Sequence, residues 1–124
     1  MILGLGQDLC QVARIVAARA RFGDRFLARC FTPAEAAACL ARPRPDSALA
    51  MRFAAKEAFA KAAGLGMRGL AWREIEVAHR PSGQPYLVLH GRAAAWAAQH
   101  ALTASHVSLT DDGDYVAAVV VLEK

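Results

Sequence analysis

From Ile2 to Leu9 aliphatic residues alternate with glycine and polar ones, a period of two that predicts a strand ending near Asp8. Over Val12 to Ala20 the period lengthens. Val12, Ile15 and Val16 then fall on one side of a helix, with Arg14 and Arg21 on another. Thr32-Pro33-Ala34-Glu35 announces a second helix, with an N-cap threonine, a proline at the first position and a glutamate that completes a capping box. Arg42-Pro43-Arg44-Pro45 ends it, because proline lacks a donor and pushes its predecessor toward extended geometry. Asp46 or Ser47 is the expected cap of a long third helix that runs to Gly64. Glu74 to His79 and Tyr86 to His90 alternate around Pro81-Ser82-Gly83-Gln84-Pro85, which predicts a hairpin. Arg92 to Ala101 reads as helix, and Ser105 to Leu109 with Tyr115 to Leu122 as a last strand pair. The whole is an α+β domain over residues 1–124, with a mainly antiparallel sheet and a long central helix.

Composition narrows this picture. The chain has 124 residues and is 56% hydrophobic, enough for one core, but much of that content is alanine. A thin core of this kind makes oligomerisation an expected way to bury more surface. The N-terminus lacks the pattern of a signal peptide, and the run Val116 to Leu122 is too short to span a bilayer. Cys10, Cys30 and Cys39 follow no metal-ligand spacing, so free thiols in a reducing cytoplasm are expected, with no membrane partner. The net charge of +4 is unevenly spread. Residues 14 to 45 hold seven arginines (Arg14, Arg19, Arg21, Arg25, Arg29, Arg42, Arg44) against Asp24 and Glu35. Such a surface attracts an acidic partner. Nucleic acid is not the expected one, since no aromatic strand motif or zinc-finger spacing accompanies the arginines.

Chemistry concentrates in residues 52–64. Glu57 and Lys61, four apart, share a helix face, so an acid able to hold a metal stands beside a cation able to meet a phosphate. The plain alternative is a solvated helix pair worth roughly 0.2–0.5 kcal/mol. Gly4-Leu5-Gly6 lacks the third glycine of a dinucleotide fingerprint, and no P-loop or serine nucleophile motif is present. His79, His90, His100 and His106 are scattered, and Asp111, Asp112 and Asp114 read as a turn around Gly113.

Taken in order, Gly4-x-Gly6-x-Asp8, Arg52-Phe53-Ala54-Ala55-Lys56-Glu57-Ala58-Phe59-x-Lys61-Ala62, Gly83-Gln84-Pro85 and His106-Val107-Ser108-Leu109 resemble the holo-[acyl-carrier-protein] synthases. These are the small branch of the 4′-phosphopantetheinyl transferase superfamily, and the resemblance runs from Met1 to Glu123. It implies the fold of that family, assembled as a homotrimer with active sites between subunits. There the strand bearing Asp8 and the long helix would face the adjacent chain's hairpin loop. The implied reaction moves the 4′-phosphopantetheine arm of coenzyme A to a serine of an acidic acyl carrier protein and uses Mg²⁺. Asp8 and Glu57 would be metal ligands and, with Lys61, catalytic. Arg52 and Lys61 would meet phosphates, Gly83, Gln84 and Pro85 would hold the adenine end, and Arg14, Arg21 and Arg25 would dock the carrier. Elementary chemistry agrees, since Mg²⁺ favours one or two carboxylates together with water and phosphate oxygens. Lys56 is left open between a solvated and a salt-bridging role.

Two positions depart from the family pattern. Asp111 stands where many relatives carry histidine, and it reads equally as a water-mediated metal ligand or a turn acid. Gly64-Leu65-Gly66 lacks the usual threonine between the glycines. The base that deprotonates the serine stays open among Glu57, a metal-bound water and Asp111. Rival readings are a specialised, polyketide-type acceptor and a non-catalytic relative that only docks carriers.

Overall fold

The computed structural model describes residues 1–124. Strand β1 (Ile2–Gln11) leads directly into helix α1 (Val12–Phe22), followed by α2 (Asp24–Cys30), α3 (Pro33–Leu40) and the long α4 (Pro45–Ala62). A 3₁₀ turn (Trp72–Glu74) then opens the hairpin β2 (Ile75–His79) and β3 (Pro85–Leu89). Helix α5 (Gly91–Gln99) and strands β4 (Ala104–Asp112) and β5 (Tyr115–Glu123) complete the chain. The strands form two antiparallel sheets, β1-β5-β4 and the separate hairpin β2-β3.

Helix α4 lies across the three-stranded sheet, and glycine sets how closely. A Cβ at Gly4 would sit 1.9 Å from the carbonyl oxygen of Ala62, and one at Gly6 would sit 1.9 Å from that of Ala58. Only a residue without a side chain permits this approach. Buried Ala54, Ala55, Ala58 and Ala62 line the helix, and Phe59, Val116, Val120 and Leu122 supply bulk. Asp8 follows Gly4 and Gly6 on the same strand face, so the close packing delivers its carboxylate to the end of α4.

The capping box is formed: Thr32 Oγ1 accepts from Glu35 N at 3.1 Å, and Glu35 Oε1 accepts from Thr32 N at 3.0 Å. Gly64 terminates α4 as expected, with φ of +75° and the N–H of Leu65 donating to Ala60 at 3.0 Å. Two expectations change. Helix α4 starts at Pro45 with Arg44 as N-cap and no side-chain cap. Asp46 instead accepts from Arg19 Nη1 at 2.7 Å and ties α1 to α4. Asp24–Cys30 is helical although no helix is expected there, because seven residues are too few for an amphipathic period to stand out.

The face of the three-stranded sheet away from α4 carries apolar residues with nothing over them. Leu5 and Leu9 are 65% and 64% exposed, and they sit opposite Val121 and Ala117 on β5. The hairpin shares no ladder with this sheet. It is seated on α4 by side chains, including the stack of Trp72 on Phe53 at 4.5 Å between centroids.

Candidate active site

At the end of α4 the structure brings Asp8, Glu57 and Lys61 together. Lys61 Nζ donates to Asp8 Oδ1 at 3.2 Å and to the carbonyl of Gln7 at 2.9 Å. Burial pushes the Glu57 carboxyl above the usual range and the charge of Asp8 adds to this, while Lys61 and Arg14 oppose it. Two carboxylates are therefore close enough to repel, and the ammonium beside Asp8 is half exposed. Asp111 does not join them within one chain, since no three acidic, histidine or cysteine side chains converge to hold a metal. It lines a cavity of about 190 Å³ with Arg42, Arg44 and Ser47.

A second cluster occupies another side of α4. Arg52, only 6% exposed, reaches His79 Nδ1 with Nη2 at 3.1 Å, and its buried Nε has no partner. With Arg42, Arg80, Met51, Gly83 and Pro85 these residues line a cleft of about 470 Å³. Burial lowers the His79 pKa, and the charges of Arg52 and Arg42 lower it further; Arg52 can only donate, so Nδ1 accepts. Gly83 takes φ of +92°, which lets the hairpin turn tightly at the rim. Gln84 does not line the cleft: its carbonyl accepts from Arg80 N at 2.9 Å and closes the turn. Arg42, His79 and Arg80 are missing from the residues expected for this cleft. Their only signals are a position in a proline-rich break and at the hairpin's flanks.

Arg52 and Glu57 lie about 140° apart around the helix. A single chain therefore shows the carboxylate cluster and the cationic cleft as two separate groups, although both come from one motif.

The arginines expected to dock a partner spread along α1 and α2. Arg14 lies near enough to Glu57 and Cys10 for its charge to oppose the rise that burial imposes on both pKa values. The Arg21 guanidinium sits 5.1 Å from the Phe22 ring. Arg25 and Arg29 rim an apolar groove of about 560 Å³ floored by Phe22, Phe26, Phe53 and Trp72. The aromatic lining is not among the sequence expectations. Lys56, left open by sequence, is fully buried and paired with Glu35 at 2.7 Å.

Residues 4–120 match the family described as the 4′-phosphopantetheinyl transferase superfamily. The chain is 48% identical over 130 residues to the holo-[acyl-carrier-protein] synthase of Acidovorax sp. (strain JS42), covering 100% of this chain and 99% of that protein. Its fold is similar to the crystal structure of the Neisseria meningitidis holo-[acyl-carrier-protein] synthase, with TM-score 0.93, 38% identity and 100% of both chains covered. It is also similar to the Helicobacter pylori enzyme solved with coenzyme A, with TM-score 0.85, 28% identity and 96% and 99% of the two chains covered.

Proposed function

The chain belongs to the 4′-phosphopantetheinyl transferase superfamily, and from that premise we propose that it is a Mg²⁺-dependent holo-[acyl-carrier-protein] synthase. It transfers the 4′-phosphopantetheine arm of coenzyme A to a serine hydroxyl of apo acyl carrier protein and releases adenosine 3′,5′-bisphosphate. The observation that carries this reading is the convergence of Asp8, Glu57 and Lys61 where the glycines of β1 let α4 approach.

Asp8 and Glu57 fit a Mg²⁺ ion, since two mutually repelling carboxylates at an open rim leave room for water and phosphate oxygens. Bound there, the ion would supply charge stabilisation at the diphosphate. Lys61 exchanges Asp8 for a phosphate oxygen and meets the charge that grows on the leaving group. The serine hydroxyl gives up its proton to a base at this carboxylate rim, for which Glu57 is one candidate. The serine oxygen bonds to phosphorus as the phosphorus–oxygen bond to the bisphosphate breaks, with Arg52 and its cleft holding the departing nucleotide. Gly83 and Pro85 border that cleft, as an adenine-binding turn requires.

Separation of the two half-sites on α4 supports a homotrimer in which one subunit's carboxylates face its neighbour's cleft. The bare apolar sheet face at Leu5 and Leu9 offers the surface to bury. The arginine-rimmed groove suits an acidic carrier with an apolar contact at its centre, and charge steering through Arg14, Arg21 and Arg25 would speed encounter. No helix is long and apolar enough to cross a membrane. The buried free thiols of Cys10, Cys30 and Cys39 fit action in the cytoplasm.

Mass spectrometry of apo carrier incubated with this protein, coenzyme A and Mg²⁺ tests the reading. A gain of one phosphopantetheine arm is expected, and no gain on any carrier would overturn it in favour of a docking protein. Rates on fatty-acid and polyketide carriers decide the acceptor.

A further inference from the structure

Lys56 and Glu35 form an ion pair with no solvent exposure on either side chain, and the reaction above uses neither. Besides Glu35, Lys56 Nζ donates to the carbonyls of Trp72 at 3.1 Å and Ile75 at 2.5 Å. Glu35 is equally committed: Oε1 also accepts from Thr32 N, and Oε2 accepts from Val77 N at 2.9 Å. The pair therefore grips the backbone of residues 72–77 at three points, from α3 on one side and α4 on the other.

Stability alone does not account for such a pair. Burying two charges is expensive, and a well-packed apolar pair of similar volume is often as stable or more so. An apolar pair cannot, however, hold particular carbonyl and N–H groups at set places. The gripped segment matters at both ends. It opens with Trp72, whose ring walls the apolar groove, and it runs on to His79, the partner of Arg52 in the cationic cleft. Because the hairpin has no ladder to the main sheet, its seat on α4 comes from side chains such as these.

We propose that Glu35 and Lys56 are a positioning pair that sets the spacing between the groove and the cleft, so that carrier docking and nucleotide binding depend on one buried contact. This rests on reading groove and cleft as the two substrate sites. A pair that served stability alone would lower the melting temperature and leave the constants of the folded protein unchanged.

The test compares wild type with the double variant Glu35→Gln/Lys56→Met and with Glu35→Gln alone, each shown to be folded by circular dichroism. Calorimetry reads the Kd of adenosine 3′,5′-bisphosphate, and steady-state kinetics reads kcat and KM for apo carrier. In the double variant both Kd and KM are expected to rise together by about tenfold or more, as for a misplaced binding element, with kcat changed less. Glu35→Gln should move both in the same direction by a smaller factor, and it decides the matter if the double variant does not fold. Constants within about twofold of wild type in the folded variant, or a shift in only one of them, would overturn the proposal. Failure of wild type itself to bind the bisphosphate would instead overturn the reading of the cleft.

Discussion

Lys56 and Lys61 stand five positions apart on one helix and have opposite fates. Lys56 has no exposed side chain, and its ammonium is fully used by a carboxylate and two carbonyls. Lys61 is 53% exposed and held to Asp8 at 3.2 Å. The residue type is the same, so the difference comes from what each ammonium has left to offer. A cation whose donors are all spent can only hold structure. One with a weakly held, exposed pair can change partner when a phosphate arrives.

Substitutions on each face of α4 should separate these roles. The largest expected effect is on the face proposed to react: Asp8→Asn or Glu57→Gln should lower turnover by about 10³-fold or more, several kcal/mol of charge stabilisation, with the melting curve preserved. Near-normal turnover in either variant would remove the carboxylate pair from the chemistry. On the buried face, Lys56→Met leaves Glu35 without its counter-ion and should destabilise by about 3–5 kcal/mol in urea unfolding. A loss under about 1 kcal/mol there would mean that the pair is not under load. Lys61→Met should do the reverse, lowering kcat by roughly 10²-fold while changing stability by no more than about 1 kcal/mol. If the two lysine variants behaved alike, the contrast between the faces would collapse.

The smallest effect concerns His79. Its pKa is depressed, so whatever stability its neutral form contributes is present above the ordinary histidine value and is lost as pH falls through the depressed one. Anionic phosphate in the cleft opposes the arginine field and should raise the His79 pKa. Binding of the bisphosphate and protonation of His79 should therefore reinforce each other. A histidine NMR titration with and without adenosine 3′,5′-bisphosphate reads this directly, and an unmoved His79 would separate it from the phosphate site.

Much of the architecture was legible where a local signal exists. The capping box at Thr32, the stop at Gly64, the hairpin around Gly83 and the final strand pair all follow from residues that interact within a few positions. The motif on α4 was legible as well, because helical spacing decides that Glu57 and Lys61 share a face. Short α2 and the start of α4 at Pro45 were not, since neither carries a side-chain cap.

Sequence by itself determined which side chains α4 groups together and, through the full set of motifs, the family. Only the tertiary structure decided what each face of the helix meets. Glu35 lies 21 positions from Lys56, and Asp8 lies 53 positions from Lys61. The meaning of Gly4 and Gly6 is likewise invisible along the chain, because the atoms that exclude a side chain there are carbonyl oxygens of a helix more than fifty residues away. Periodicity reports neighbours along an element. Burial and partnership are set by contacts across the fold, and those contacts buried one lysine against Glu35 and left the other exposed beside Asp8.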